Sequence, residues 1–236
     1  MVYEIIVSFS QFFFFWEICK CNSYRLTLYV ACDIIKTIIT EKGEKMENLL
    51  VVVDMINGFV NFGALADKSI NNITPNITKE IETASKNGYD IICFRDAHSL
   101  DDEEFKQFPV HCLKGSEESA LIPELKRIEH LFKYNIEKNT TNGFITKEFQ
   151  ELLKQKEYDE VRVVGCCTDI CIYNFCISYL NYIKKNNLKT KIFVRQDCVD
   201  TFNSENHNKE QCNEQSLMEL EKNGVVVTRT GNLENV

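Results

Sequence analysis

Three residues stand where apolar runs give way to polar ones, and they carry a carboxylate, an ammonium and a thiol. Asp54 closes the run Val51-Val52-Val53. A carboxylate there either takes a proton in a reaction or caps a turn, and the residue alone does not choose. Cys171 lies in Val164-Gly165-Cys166-Cys167-Thr168-Asp169-Ile170-Cys171, where a strand passes into a helix. Free backbone donors and the helix dipole at a helix N-terminus lower a thiol's pKa, which predicts a nucleophilic thiolate. The other reading of such a cysteine is a small buried residue in a helix's first turns, and Cys176 and Cys212 are assigned to that one. Lys138, in Ile136-Glu137-Lys138-Asn139, is either a surface charge or, if the strands are neighbours, the partner of Asp54 and Cys171.

A second group has metal-ligand character. In Arg95-Asp96-Ala97-His98 the two outer side chains alternate around one residue, so on an extended strand end they point the same way. His111 can return from the following loop to join them. One hard carboxylate with two imidazoles suits zinc, iron(II) or manganese and leaves positions for water or substrate. Two of the chain's four histidines are used here. The acidic run Asp101-Asp102-Glu103-Glu104 reads as a solvated loop.

The elements that must hold these groups follow from apolar runs alternating with amphipathic stretches. Leu49–Val53, Ile91–Phe94, Leu131–Ile136, Val161–Val164, Lys191–Val194 and Val225–Val227 are predicted as strands, the first buried on both faces because its apolar run is continuous. Helical length and spacing mark Ile70–Asn87, Thr146–Gln155, Asp169–Asn186 and Asn208–Asn223, with Asn87-Gly88 and Asn223-Gly224 as stops. The alternation predicts an α/β fold of three layers around a mostly parallel, Rossmann-like sheet. Ligands of such sheets sit beyond the carboxyl ends of the strands, where Asp54, Asp96, Lys138 and Cys171 fall.

Composition narrows the function classes. The chain has 236 residues, with 27 Lys and Arg against 35 Asp and Glu, a net charge of −8. That balance excludes electrostatic attraction to nucleic acid or to an anionic membrane. Eleven cysteines in a chain long enough to bury a core without staples indicate reduced thiols and a cytoplasmic setting. The domain is assigned to residues 46–236. Residues 1–45 are charge-balanced and read as an extension outside it. Their apolar run Ile5–Trp16 is too short to span a bilayer and has no basic start, which argues against a signal or anchor. Lys42-Gly43-Glu44-Lys45-Met46 also permits a purine-rich ribosome-binding sequence just before the Met46 codon, so translation is expected to begin at Met46.

Taken together, in order and spacing, these motifs resemble the isochorismatase-like cysteine hydrolases, and among them the nicotinamidases, over nearly all of residues 46–236. The resemblance implies an Asp54, Lys138 and Cys171 triad and a metal held by Asp96, His98, His111 and, as an additional carboxylate, Glu104. Zinc is the expected metal, with iron or manganese as alternatives. It also implies a cis peptide between Cys166 and Cys167, which aims the N–H groups of Cys167 and Cys171 at an oxyanion. Phe59, Phe108 and Cys166 would line the substrate pocket. The expected reaction is hydrolysis of nicotinamide to nicotinate and ammonia through a cysteine thioester, a step of NAD salvage. The expected partner is therefore a small amide, with self-association into a homo-oligomer left open. Two departures stand out: Phe108 replaces the common Trp before Pro109, and Ile56 replaces the usual Gln of the first motif. They leave room for the alternative, a related cysteine hydrolase acting on another small amide or carbamoyl compound.

Overall fold

The computed structural model describes residues 46–229, so the readings made for residues 1–45 lie outside the described residues. Six strands form one parallel sheet: β1 (Asn48–Val53), β2 (Asp90–Asp96), β3 (Tyr134–Lys138), β4 (Glu160–Cys166), β5 (Lys191–Asp200) and β6 (Val226–Thr228). Their order is β3-β2-β1-β4-β5-β6. The chain lays down β1 to β3 in one direction, then returns past β1 to place β4 on its other side. The switch point therefore falls between the carboxyl ends of β1 and β4, where parallel sheets open a crevice for ligands.

Four longer helices cover the sheet: α1 (Thr74–Lys86), α2 (Lys147–Gln155), α3 (Tyr173–Asn186) and α4 (Lys209–Asn223). The period of two along β1 explains why both faces need covering. Leu49, Val51 and Val53 enter a core with Phe149 of α2, Phe175 and Tyr179 of α3, and Leu217 of α4. Leu50 and Val52 point the other way, into a core with Ile77, Ile81 and Ala84 of α1. Every one of these side chains leaves water, which removes any solvent face from the first strand.

Several boundaries differ from the sequence reading, each for a local reason. The helix expected from Ile70 begins as a 3-10 turn over Lys68–Ile73, and α1 starts at Thr74, where Pro75 suits the first turn. Leu131 and Phe132 are not strand residues. Leu131 closes a 3-10 turn over Glu129–Leu131, Phe132 follows it, and both pack against the core, while β3 runs two residues further, to Lys138. The fifth strand continues through the polar stretch Arg195-Gln196-Asp197 because its pairing with β4 shifts between Val163 and Gly165, accommodating extra residues. Arg195 there reaches Glu80 of α1, a buried carboxylate that also receives Arg162. The stretch Thr168–Ile172 is a π-helical turn that precedes α3 rather than its first α-helical turn.

Gly165 marks the tightest approach at the switch point. Its φ is +122°, and a side-chain carbon there would collide with the backbone of Val53 on β1. Gly165→Ala is therefore expected to destabilise by about 3 kcal/mol or more, through overpacking and a backbone conformation that L side chains rarely adopt. Urea unfolding of the two proteins, compared at the midpoint, checks this.

Candidate active site

Register brings the three strand-end groups together. Asp96 and Lys138 are paired residues at the ends of β2 and β3, while Val53 pairs with Phe94 and with Gly165. Asp54 follows Val53 with φ 54°. Its N–H donates to the Phe94 carbonyl at 3.0 Å, and its Oδ1 accepts the N–H of Asp96 at 3.1 Å. The alternation of β3 buries Ile136 and Lys138 on the same side. Lys138 thus lies on the strand itself, 3% exposed, and is not a surface charge.

Lys138 Nζ is 2.8 Å from Asp54 Oδ2 and 3.9 Å from Cys171 Sγ, and it also contacts Asp96 Oδ1. One buried cation thus faces two buried carboxylates and a thiol. Desolvation is the largest influence on Asp54 and the charge of Asp96 adds to it, so its carboxyl is pushed up to about 7 despite Lys138. Asp96 goes the other way. Burial raises it, but the Lys138 charge and the neighbouring imidazoles of His111 and His98 hold it below the usual carboxylate range. The Lys138 ammonium is raised well above its ordinary value, because the two carboxylates outweigh the burial that would lower it. A neighbouring pair of carboxylates is thereby split into a permanent anion and a group that exchanges its proton near neutrality.

The expectation for Cys171 requires correction. Its thiol is held well above the ordinary value, since burial outweighs the opposing charge of Lys138. The residue is 6% exposed and sits inside the π-helical turn that precedes α3. At rest the group is therefore the neutral thiol. Asp54 lies within hydrogen-bond reach of it, its buried Oδ2 2.8 Å from Lys138 Nζ.

Next to this group, Asp96, His98, Glu104 and His111 each offer a ligand atom, all within 4.8 Å of one another. His98 Nε2 and His111 Nε2 lie 3.6 and 3.8 Å from Asp96 Oδ2, and Glu104 Oε1 lies 3.9 Å from His111 Nε2. The opposite ring nitrogens are committed elsewhere: Nδ1 of His111 donates to the Pro109 carbonyl at 2.8 Å, and Nδ1 of His98 faces Asp102 Oδ2 at 3.0 Å. Each imidazole thereby turns Nε2 toward the cluster, and His98 Nε2 is buried with no other partner. These donors fit a divalent transition ion.

Asp102 is the residue that sequence reasoning missed. It accepts from His98, from the Ser99 N–H at 2.9 Å and from Asn139 at 3.0 Å, and it is half-buried rather than solvated. Its spacing from His98 was the available signal. Asp102→Ala is expected to weaken metal affinity by about 10- to 100-fold while the ligand set stays complete. Competition with a chelator of known affinity measures that loss.

The aromatic residues surround the imidazoles. Phe59 and Phe108 have ring centroids 5.8 and 6.5 Å from His111, and Phe105, also unforeseen, lies 5.1 Å from His98. The Cys166–Cys167 peptide is cis. Cys166 itself is fully buried, its thiol donating to the Asp54 carbonyl at 3.2 Å, so its sulfur faces the backbone of β1. Cys176 is buried on α3, as expected, whereas Cys212 is half-buried and stands beside Asp169 and His207.

An Isochorismatase domain family model matches residues 48–231. Nicotinamidase 1 of Arabidopsis thaliana is 31% identical over 147 residues, which span 56% of this chain and 59% of that protein. A pyrazinamidase/nicotinamidase structure from Streptococcus mutans superposes with a TM-score of 0.67 at 22% identity, covering 77% of this chain and 100% of the other. An N-carbamoylsarcosine amidase from Thermoplasma acidophilum gives a TM-score of 0.63 at 26% identity, covering 80% and 100%. Among the described residues no helix is long and apolar enough to cross a membrane.

Proposed function

Because the chain belongs to the isochorismatase family, we propose that it is a cysteine amidase that hydrolyses nicotinamide to nicotinate and ammonia. The carrying observation is the buried contact of Lys138 with Asp54 and Cys171, set beside the Asp96–His98–Glu104–His111 cluster. Likeness to the Arabidopsis nicotinamidase supports the substrate.

The chemistry follows from the electrostatics. Asp54, with its carboxyl near 7, takes the proton of Cys171 as the sulfur attacks the carboxamide carbon. The carbonyl π-electrons move onto oxygen, where the N–H groups of Cys167 and Cys171 receive the charge. Collapse breaks the C–N bond, and Asp54 returns its proton to the departing nitrogen as ammonia leaves. Water then gives a proton to Asp54 and adds to the thioester, and the freed sulfur is reprotonated. Lys138 stays charged throughout and keeps Asp54, Asp96 and the reacting sulfur in one electrostatic unit. Asp96, His98, Glu104 and His111 would hold a zinc, iron or manganese ion, which supplies a Lewis-acidic anchor for a substrate ring nitrogen. Phe59 and Phe108 border that position and favour a flat aromatic substrate.

The likeness to an N-carbamoylsarcosine amidase favours a second reading, a carbamoyl-compound hydrolase on the same triad. Ammonia release from the metal-loaded protein, measured over nicotinamide, pyridine-free aromatic amides and carbamoyl compounds, separates the two. Nicotinamide is expected to be turned over fastest. A panel in which only carbamoyl compounds react would overturn the substrate assignment.

A further inference from the structure

We infer that Asp169, His207 and Cys212 form a second divalent-metal site of zinc-like preference, separate from the Asp96 cluster and built behind the turn that carries Cys171. Their ligand atoms, one carboxylate oxygen, one imidazole nitrogen and one thiol sulfur, all lie within 4.8 Å of one another. Bonds of about 2.0–2.3 Å to one ion keep its ligand atoms within roughly 4.5 Å, so the cluster needs little adjustment to close.

Each donor is already fixed by its own surroundings. His207 is anchored by reciprocal backbone bonds with Ser204, at 3.0 and 3.2 Å, and its ring stacks on Phe202 with centroids 3.9 Å apart and planes at 8°. Its Nδ1 donates to the Phe202 carbonyl at 2.9 Å, while Nε2 lies 2.7 Å from Asp169 Oδ2. Both ring nitrogens therefore face acceptors. A cation bound at Nε2 takes the place of the proton between that nitrogen and the Asp169 carboxylate. The Nδ1 hydrogen bond to a carbonyl is the arrangement that orients a ligating imidazole. Asp169 Oδ1 accepts the Thr201 hydroxyl at 2.6 Å, which leaves Oδ2 for the ion. Cys212 sits in the first turn of α4, its N–H bonded to the Asn208 carbonyl at 2.9 Å, and it is a free thiol.

Binding releases the Cys212 thiol proton and the proton between His207 Nε2 and Asp169 Oδ2 to solvent and forms one bond each to sulfur, nitrogen and oxygen, with water in the fourth position. A thiolate, an imidazole and a carboxylate together select zinc-like ions over magnesium or calcium. Asp169 lies between Cys167 and Cys171, so an ion there ties α4 and the loop of His207 to the turn that carries the nucleophile.

Cobalt(II) tests the site because sulfur ligation gives a near-ultraviolet charge-transfer band, which the sulfur-free Asp96 cluster cannot produce. The metal-stripped full chain, loaded with Co2+, is expected to show that band, and Cys171→Ala is expected to retain it. Cys212→Ser should lose the band and hold one zinc fewer per chain by elemental analysis. His207→Gln should raise the cobalt concentration at half-saturation of the band by at least about tenfold. Absence of the band in the unaltered protein, its survival in Cys212→Ser, or an unshifted midpoint in His207→Gln would each overturn the proposal.

Discussion

Cys171→Ala is expected to reduce amide turnover by about 10⁴-fold or more while substrate binding stays nearly intact, because it removes the bond-forming atom and little else. The sulfur is enclosed, so its loss leaves the Asp96 cluster and Phe59 in place. Cys171→Ser should be almost as inactive: Asp54, tuned to about 7, is too weak a base to deprotonate a hydroxyl well. Steady-state rates of ammonia release, together with calorimetric binding of nicotinamide to the inactive variants, check both halves. Cys166→Ala and Cys176→Ala serve as comparisons. Their thiols are buried, one against the Asp54 backbone and one within the helix core, and neither reaches the site as a nucleophile.

The second large effect concerns the imidazoles. His98→Ala or His111→Ala is expected to abolish metal retention, since each removes a nitrogen that the fold has already oriented through its other ring atom. KM for nicotinamide should rise about 10²-fold, with a further fall in kcat, because the ring nitrogen loses its anchor and the carboxamide drifts from the sulfur. Amides without a ring nitrogen should suffer less. Glu104→Gln should show a milder version, as Glu104 contributes only one of two carboxylates to the cluster. Elemental analysis alongside kinetics on both amide types measures the contrast.

Much of this site was legible in the sequence because strand ends are legible. The unbroken run Leu49–Val53 fixed a central strand, and in a parallel sheet that alone places Asp54 at the ligand edge. Asp96 and His98, one residue apart at the end of another strand, could face the same way, and the structure buries both beside His111. What could not be read was set by tertiary contacts. Leu131 and Phe132 have strand-like composition but anchor the turn before β3 to the core, and Arg195-Gln196-Asp197 looks like a strand's end although a register shift carries the strand through it. The protonation state of Cys171 was misjudged because burial, which no local pattern reports, outweighs the charge of Lys138. Asp102 was hidden in an acidic run. Asp169 and His207, 38 residues apart, meet only when the loop after β5 folds back over the π-helical turn.

The central claim is that an acyl group passes through the Cys171 sulfur. Rapid acid quenching during turnover of nicotinamide, followed by peptide mapping with mass spectrometry, tests it most directly. The expected result is a nicotinoyl thioester on the peptide containing Cys171, absent from Cys171→Ala and absent when nicotinamide is withheld. Steady ammonia release with an acyl adduct on another cysteine, or undiminished release from Cys171→Ala, would contradict it.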